Sequence, residues 1–253
     1  MTSGQLNAGR NRPGRIPPAS GPGVTKKNEK EVMLRIKRAR KADQKTARRQ
    51  DILAAAWQLF RESAGDLPTV SRVARRVGLS KGTIYLYFSS KEELFFSVFE
   101  NRIQEWVRSI ETALGDKQKD VDMADLSRVL AGYAAENPLV IKLGTITKSF
   151  VEHNVDAGII YDCDRRIVGL VNMAAKIISD RFSFITLKQA STMLLRGYAL
   201  SLGLWQVLDR PQAVSRMLIA DGIDIFMPEF SENILETTEI FLYGYLKYLK
   251  ENK

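Results

Sequence analysis

The fold of this chain is decided by residues 73–88, which read VARRVGLSKGTIYLYF. Gly78 supplies a sharp turn, because glycine accepts backbone angles that other residues avoid. Leu79 is suited to burial directly after the turn, and Ser80 is a residue type that favours the start of a helix. Ile84 and Phe88 are four positions apart and therefore share one helical face. The stretch predicts two short helices joined by a tight turn.

The outer face of the second short helix carries polar and aromatic side chains. Two exposed tyrosines beside a lysine are costly to present to water, but they suit the sugars, phosphates and thymine methyl groups of DNA. The alternatives are that the tyrosines pack against a neighbouring helix and that the lysine is a solvated surface charge. The pattern predicts a helix-turn-helix whose second helix enters the major groove. The outward residues are Lys81, Gly82, Thr83, Tyr85 and Tyr87.

The flanking sequence predicts the helices that brace this motif. Apolar residues at i, i+3, i+4, i+7 and i+8 form one buried stripe from Ile52 to Phe60, within a helix over residues 46–63. Thr69 is positioned to cap the next helix. Ser90, with Glu93 three residues later, predicts a capping box at the start of a fourth helix that runs towards residue 110.

Residues 47–53 (ARRQDIL), 77–88 (VGLSKGTIYLYF) and 90–94 (SKEEL) together resemble the DNA-binding domain of the TetR family, over about residues 46–105. The resemblance implies an all-α fold, with an N-terminal three-helix DNA-binding domain followed by a larger helical domain. It implies that Thr69 and Arg72 contact the DNA backbone. The residues that would approach bases or clamp phosphates are Ser80, Lys81, Gly82, Thr83, Tyr85, Tyr87 and Lys91.

Positive charge is concentrated at the N-terminus. Residues 1–45 carry 12 basic and 3 acidic side chains, whereas residues 103–253 carry 17 and 20. This asymmetry fits a chain that meets a polyanion at one end, and a solvated basic tail is the alternative. We expect residues 1–45 to form a disordered basic arm, although residues 28–49 contain helix-forming residues that would also lengthen the first helix.

The rest of the chain reads as helix over residues 122–136, 138–153, 157–182, 187–208 and 230–250. The resemblance implies that residues 106–253 form a homodimer and enclose a pocket for a small-molecule effector, which we expect to be hydrophobic. Candidate pocket residues are Leu143, Ile146, Phe150, His153, Met173 and Trp205. The alternatives are an ordinary bundle core for the apolar residues, a helix cap or core position for His153, and core or interface for Trp205.

Helix 187–208 is apolar nearly all round, which requires burial on more than one side. A dimer interface supplies the second side, and a helix enclosed in its own domain is the alternative. The predicted dimer residues are Leu195, Tyr198, Leu202, Ile240 and Tyr243. The apolar stretch from Ala190 to Leu208 contains Arg196 and several small or polar residues, and Thr186 with Gln189 supplies a capping box ahead of it. We therefore expect a buried helix there rather than a membrane span.

The sequence argues against an enzyme. Its one cysteine, Cys163, excludes an internal disulfide and a cysteine-built zinc site, and fits a reducing cytoplasm. Residues 1–253 contain no phosphate-binding glycine loop, HExxH or GxSxG motif. We therefore expect no cofactor and no metal, and a cytoplasmic repressor released from a palindromic operator by its effector. A purely architectural DNA-binding protein without an effector is the alternative.

Overall fold

The computed structural model describes residues 26–116, 121–150, 156–223 and 229–251, and the regular elements within these ranges are all α-helices. The all-α fold is as predicted. The described helices are α1 (Lys26–Glu62), α2 (Val70–Arg76), α3 (Lys81–Tyr85), α4 (Lys91–Leu114), α5 (Met123–Glu136), α6 (Pro138–Phe150), α7 (Ala157–Arg181), α8 (Leu187–Leu208), α9 (Gln212–Ala220) and α10 (Phe230–Glu251).

Helix α1 begins at Lys26, 20 residues before its predicted start at Thr46. For residues 26–45 the sequence left open a disordered arm and a longer first helix; these residues belong to α1, and their lysines, arginines and alanines are good helix formers. Residues 1–25 lie outside the described residues. The chain divides into two compact units, residues 1–47 and 48–253. The predicted domain boundary near residue 105 stays a prediction.

Side-chain caps set the starts of the three helices that follow α1. The Thr69 hydroxyl accepts a hydrogen bond from the backbone N–H of Arg72 at 3.2 Å, and the Ser80 hydroxyl accepts one from Thr83 at 3.0 Å. Ser90 caps α4 as predicted, with 3.0 Å to the N–H of Glu93. The predicted reciprocal bond of the capping box is wrong, because the Glu93 carboxylate instead accepts from the N–H and hydroxyl of Ser89, at 2.6 Å each.

A first hydrophobic core joins α2, α3, the C-terminal part of α1 and the N-terminal part of α4, with α6 packed against them. The predicted stripe on α1 is buried, and Ile84 and Phe88 meet it from the second short helix and the turn that follows it. Large fully buried side chains here are Ile52, Leu59, Phe60, Ile84, Phe88 and Phe95. This core fixes the orientation of α3, so the predicted helix-turn-helix has a rigid base.

A second core lies among α4, α5, α7, α8 and α10. The predicted capping box starts α8: the Thr186 N–H donates to the Gln189 side chain at 2.8 Å, and the Gln189 N–H donates to the Thr186 hydroxyl at 3.3 Å. Across the described ranges, none of the helices has an apolar stretch that could cross a bilayer. The helical bundle built on this core surrounds the cavity considered below.

Candidate DNA-binding surface and effector cavity

The first turn of α3 presents a compact exposed surface. Lys81 and Gly82 are exposed, Tyr85 is 42% exposed, and the lysine Nζ lies 5.9 Å from the centre of the Tyr85 ring. Thr83 is half-buried, and its hydroxyl lies 2.8 Å from that of Ser80. Five of the predicted DNA-contacting residues therefore share one short surface that combines a cation, hydroxyl groups and an aromatic face.

The two glycines of the motif serve different needs. Gly78 has a φ of +67°, a conformation that other residues adopt only with strain, although a Cβ there would meet no atom within 4 Å. For Gly82 the nearest atom to an added Cβ is the Ser80 hydroxyl at 3.8 Å, an ordinary contact. The fold thus requires glycine at position 78 but leaves room for a side chain at position 82.

The remaining predicted DNA-contacting residues surround α3 at different depths. Thr69 and Arg72 are exposed at the start of α2. Lys91 is the first residue of α4 and is half-buried. Tyr87 is half-buried and packs against the first core, as the alternative to DNA contact predicted. Part of its side chain nevertheless remains accessible.

Two arginines that sequence reasoning left without a role make contacts between helices of the helix-turn-helix region. The Arg76 guanidinium on α2 donates to both oxygens of Glu62 on α1, at 2.9 and 2.7 Å, and thereby lowers the pKa of that carboxyl. Arg49 donates to the buried Ser97 hydroxyl at 2.9 Å, and its guanidinium lies 4.8 Å from the Phe88 ring centre. Arg49 thus connects α1 to α4 and also contacts Phe88, which lies just after α3.

The helical domain encloses a cavity of about 450 Å³ between α4, α5, α6, α7, α8 and α10. Its wall is mainly aliphatic and aromatic, with polar positions contributed by α6, α7, α8 and α10. Lining residues include Phe99, Ile103, Trp106, Leu130, Tyr133, Ile141, Lys148, Asp164, Ile167, Val171, Ser191, Met193, Tyr198, Ser201, Thr238 and Phe241. Such a wall suits a mostly apolar small molecule.

Five of the six predicted pocket residues are absent from the lining of this cavity. Leu143, Ile146 and Phe150 are assigned to the first core, and Phe150 packs edge-on against Phe96 with ring centres 5.6 Å apart. Met173 is exposed on α7, and Trp205 packs against Phe230 with ring centres 5.0 Å apart. None of these five lines the cavity. His153 lies outside the described residues.

Polar contacts lead from the cavity wall to the helix-turn-helix core. The Tyr133 hydroxyl on α5 donates to Glu105 on α4 at 3.0 Å, and burial together with the Glu105 charge raises the pKa of Tyr133. Glu105 pairs with Arg102 at 2.8 Å. The Arg102 guanidinium lies 5.2 Å from the ring centre of Trp57, a buried residue of α1. No single stretch of sequence signals this connection, because its residues come from three helices.

Helix α6 makes a second contact with the turn after α1. The Lys142 ammonium donates to the Ala64 carbonyl at 3.1 Å, and it lies 3.8 Å from Asp209 at the end of α8. Gly65, with a φ of +88°, lets the lysine stem pass where a Cβ would collide with it. Lys142 on α6 therefore contacts both the turn after α1 and the C-terminal end of α8.

The predicted dimer residues divide between two environments. Leu195, Ile240 and Tyr243 are 65%, 66% and 73% exposed. Tyr198 instead packs against Phe99, and its buried hydroxyl has no hydrogen-bond partner among the described residues. Leu202 packs against the cluster around Ile234. The first three are exposed on α8 and α10, with Leu195 also at the cavity wall, whereas the last two face inward.

The single cysteine is buried on α7. Arg166 lies 3.1 Å from its sulfur and donates to Glu100 on α4 at 2.8 Å, while burial raises the pKa of the Cys163 thiol. Within the described ranges, no group of three or more histidine, cysteine or acidic residues is arranged to hold a metal ion. Cys163 therefore belongs to a contact between α4 and α7.

Two family models match this chain. The model described as "Bacterial regulatory proteins, tetR family" matches residues 52–98, and the model described as "Tetracyclin repressor-like, C-terminal domain" matches residues 100–248. The second match alone takes in more than half of the chain. Together the two matches cover both the helix-turn-helix and the cavity.

Among curated relatives, the fatty acid metabolism regulator protein of Bacillus subtilis is 31% identical over 74 residues, which is 29% of this chain and 38% of that protein. The uncharacterized regulator YfiR of the same organism is 36% identical, over 27% of this chain and 34% of its own length. The chain thus spans little more than a third of these two relatives. The solved FadR of Bacillus subtilis in complex with stearoyl-CoA is 16% identical with a TM-score of 0.49, over 77% of this chain and 98% of that one.

Proposed function

Since the chain belongs to the TetR family of bacterial transcriptional regulators, which are DNA-binding proteins rather than enzymes, we propose that it is a repressor whose operator binding is released by a small-molecule effector. The observation that carries the proposal is the line of contacts Tyr133–Glu105–Arg102–Trp57. It connects the wall of a cavity to the core that orients α3. The repressor would act on chromosomal DNA in the bacterial cytoplasm.

On the DNA side, α3 enters the major groove and α2 crosses the backbone. Lys81, Gly82, Thr83 and Tyr85 meet base edges and adjoining phosphates, with Ser80 at the start of the same turn. Thr69, Arg72, Tyr87 and Lys91 hold the backbone on either side, because hydroxyl groups and cations are the usual partners of phosphate. The exposure of the first turn of α3 supports this assignment.

A homodimer would place two such helices on a palindromic operator, with half-sites separated by about 34–36 Å or a multiple of it. We assign the interface to α8 and α10, including their exposed residues Leu195, Ile240 and Tyr243. Their exposure supports the assignment, since a dimer interface would cover large apolar side chains that one protomer leaves exposed. Tyr198 and Leu202 are left out of this interface because they face inward.

The effector would occupy the cavity of about 450 Å³, a size in the ordinary range of small-molecule sites. We assign its recognition to Phe99, Ile103, Trp106, Ile167 and Phe241 in place of the residues predicted from sequence. The aromatic and aliphatic wall favours an apolar effector, because burial of apolar surface is the main gain available there.

A bound effector would act through Tyr133, whose hydroxyl holds Glu105. Arg102 is held in turn by Glu105, and its Nε is buried without a partner among the described residues. When Tyr133 moves, Arg102 loses part of its support and its contact with Trp57 changes. The effector shifts the equilibrium only by its different affinity for the two states.

The test begins with selection of genomic fragments that bind the purified protein, which supplies the operator. Its affinity is then measured with and without compounds from a collection of uncharged apolar molecules that raise the melting temperature. We expect at least one such compound to weaken operator binding about tenfold or more. A protein that binds the operator equally well with every stabilising compound would instead be an architectural DNA-binding protein.

A further inference from the structure

Over residues 37–47, helix α1 has no large apolar side chain to pack, because its apolar residues there are alanines. Residues 26–47 carry nine basic and three acidic side chains. Residues 40–48 are all exposed, as is Lys37. A helical segment without large apolar side chains gains little from tertiary packing, and isolated helices are marginal in water. This segment therefore needs another source of stability if its helix is to persist.

Its charges are arranged on one side. Lys37, Lys41 and Lys45 follow one another at i, i+4 and i+8, a spacing that places all three on one helical face. Asp43 is two positions from both Lys41 and Lys45, and so it points away from that face. Like charges at i and i+4 destabilise a helix. A row of bound anions beside these lysines would offset their mutual repulsion and stabilise the helix.

We propose that this lysine stripe, Lys37, Lys41 and Lys45, is a second DNA-binding surface that contacts phosphates of duplex flanking the operator. The proposal rests on the proposed function, since the helix-turn-helix supplies the specific binding that keeps the stripe near DNA. Residue 47 is bonded to residue 48, so the stripe is tethered to the recognition domain at a high effective concentration. The stripe raises affinity without reading sequence.

A duplex fits this surface better than a membrane does. The large apolar residues Val32, Met33, Leu34 and Ile36 all precede the stripe, and between Lys37 and Ala47 the apolar residues are alanines. Helices that lie in a bilayer interface carry large apolar side chains along the face opposite their lysines. Three lysines at successive helical turns can make ionic contacts with phosphates but add no apolar contacts. Such contacts show themselves in the salt dependence of binding.

The decisive experiment compares two full-length triple variants of equal net charge. The test variant is Lys37→Gln, Lys41→Gln, Lys45→Gln, in which glutamine preserves helix propensity. The control is Arg128→Gln, Arg165→Gln, Lys176→Gln, which removes three exposed cations from α5 and α7, away from the proposed dimer surface on α8 and α10. Operator affinity is measured from low to high salt on a long duplex with random flanks and on a duplex trimmed to the operator, and circular dichroism monitors helix content.

On the long duplex, we expect the test variant to lose about 2.7 from the slope of log affinity against log salt, and about 100-fold in affinity at physiological salt. The control keeps the wild-type slope. On the trimmed duplex both variants bind like wild type. Equal slopes for the two variants on the long duplex would overturn the proposal.

Two further outcomes separate the possibilities. If wild type shows no sequence-specific site but the test variant still loses salt-dependent binding to random duplex, the proposed operator function fails and the stripe stands. If the stripe instead controls binding to vesicles of phosphatidylcholine and phosphatidylglycerol while DNA binding is unchanged, the partner is a membrane and the proposal is wrong.

Discussion

The helix-turn-helix and the helical domain build their candidate sites in opposite ways. The surface at α3 is assembled within a few positions of chain, by Ser80 capping Thr83 and by Lys81 beside Tyr85. The cavity takes its wall from six helices, from Phe99 on α4 to Phe241 on α10. A locally built surface is constrained by short-range geometry, whereas a cavity between helices depends on how each helix is rotated.

The largest expected effect tests the local surface. Gly82→Ala should weaken operator binding by about 100-fold, because the added methyl lies on the face of α3 that we assign to the major groove. Stability should be unchanged or slightly higher, since the protein leaves room for this Cβ and alanine is the better helix former. Anisotropy titration and thermal unfolding measure the two quantities.

Gly78→Ala is the matched control for that variant. It places a side chain at a φ of +67°, so it should cost about 1 kcal/mol or more of folding stability. The folded fraction should still bind DNA, because no DNA contact is assigned to this position. If Gly82→Ala binds the operator like wild type, α3 does not approach DNA as proposed.

The next effect tests the cavity. Ile167→Trp fills part of the wall and should lower the affinity of a stabilising apolar compound about tenfold or more, whereas Met173→Trp should leave it unchanged. Both residues lie on α7, but only Ile167 lines the cavity, and Met173 is exposed. Isothermal titration calorimetry measures the affinities. The reverse order of effects would restore the assignment of Met173 that the sequence suggested.

A smaller effect tests the connection between the regions. Tyr133→Phe keeps the ring in the cavity wall but removes the hydrogen bond to Glu105. We expect compound affinity to change less than threefold, while the compound-induced loss of operator affinity shrinks about fivefold. Operator titrations at saturating compound measure this coupling. If the compound weakens operator binding of the variant as much as that of wild type, the Tyr133 hydroxyl does not transmit the effect of the compound.

The smallest effect concerns the surface pair of Arg76 and Glu62. Arg76→Gln should shift the melting temperature by about 1 °C or less, because exposed ion pairs contribute little. The pKa of Glu62 is lowered in the folded state, so any contribution is present above its unfolded pKa and is lost as pH falls through the folded value. A large shift at neutral pH would show that this pair, rather than the shared core, joins α2 to α1.

The same contrast explains what the sequence could predict. The caps at Thr69, Ser80 and Ser90 follow from residues three positions apart, and each is present. The helix-turn-helix core follows equally from spacing, since Ile84 and Phe88 are buried as expected. The Glu93 carboxylate accepts its hydrogen bond from Ser89 rather than from Ser90, and the spacing of the residues alone does not distinguish these two donors.

The cavity could not be predicted because apolar periodicity does not distinguish one buried face from another. On α6, Leu143 faces the first core while Ile141 lines the cavity, although both are apolar and two positions apart. Trp205 meets Phe230, 25 residues further along the chain, and so turns away from the cavity. For residues 26–45 the sequence could not choose between a disordered arm and a longer first helix, because its composition favours both.

The central claim is that occupancy of the cavity controls the DNA-binding surface. The most direct test measures operator affinity of wild type and Ile167→Trp with a compound shown by calorimetry to bind the wild-type cavity. We expect the compound to raise the operator Kd of wild type about tenfold or more and to leave that of Ile167→Trp unchanged. A compound that saturates the wild-type cavity without changing the operator Kd would contradict the account.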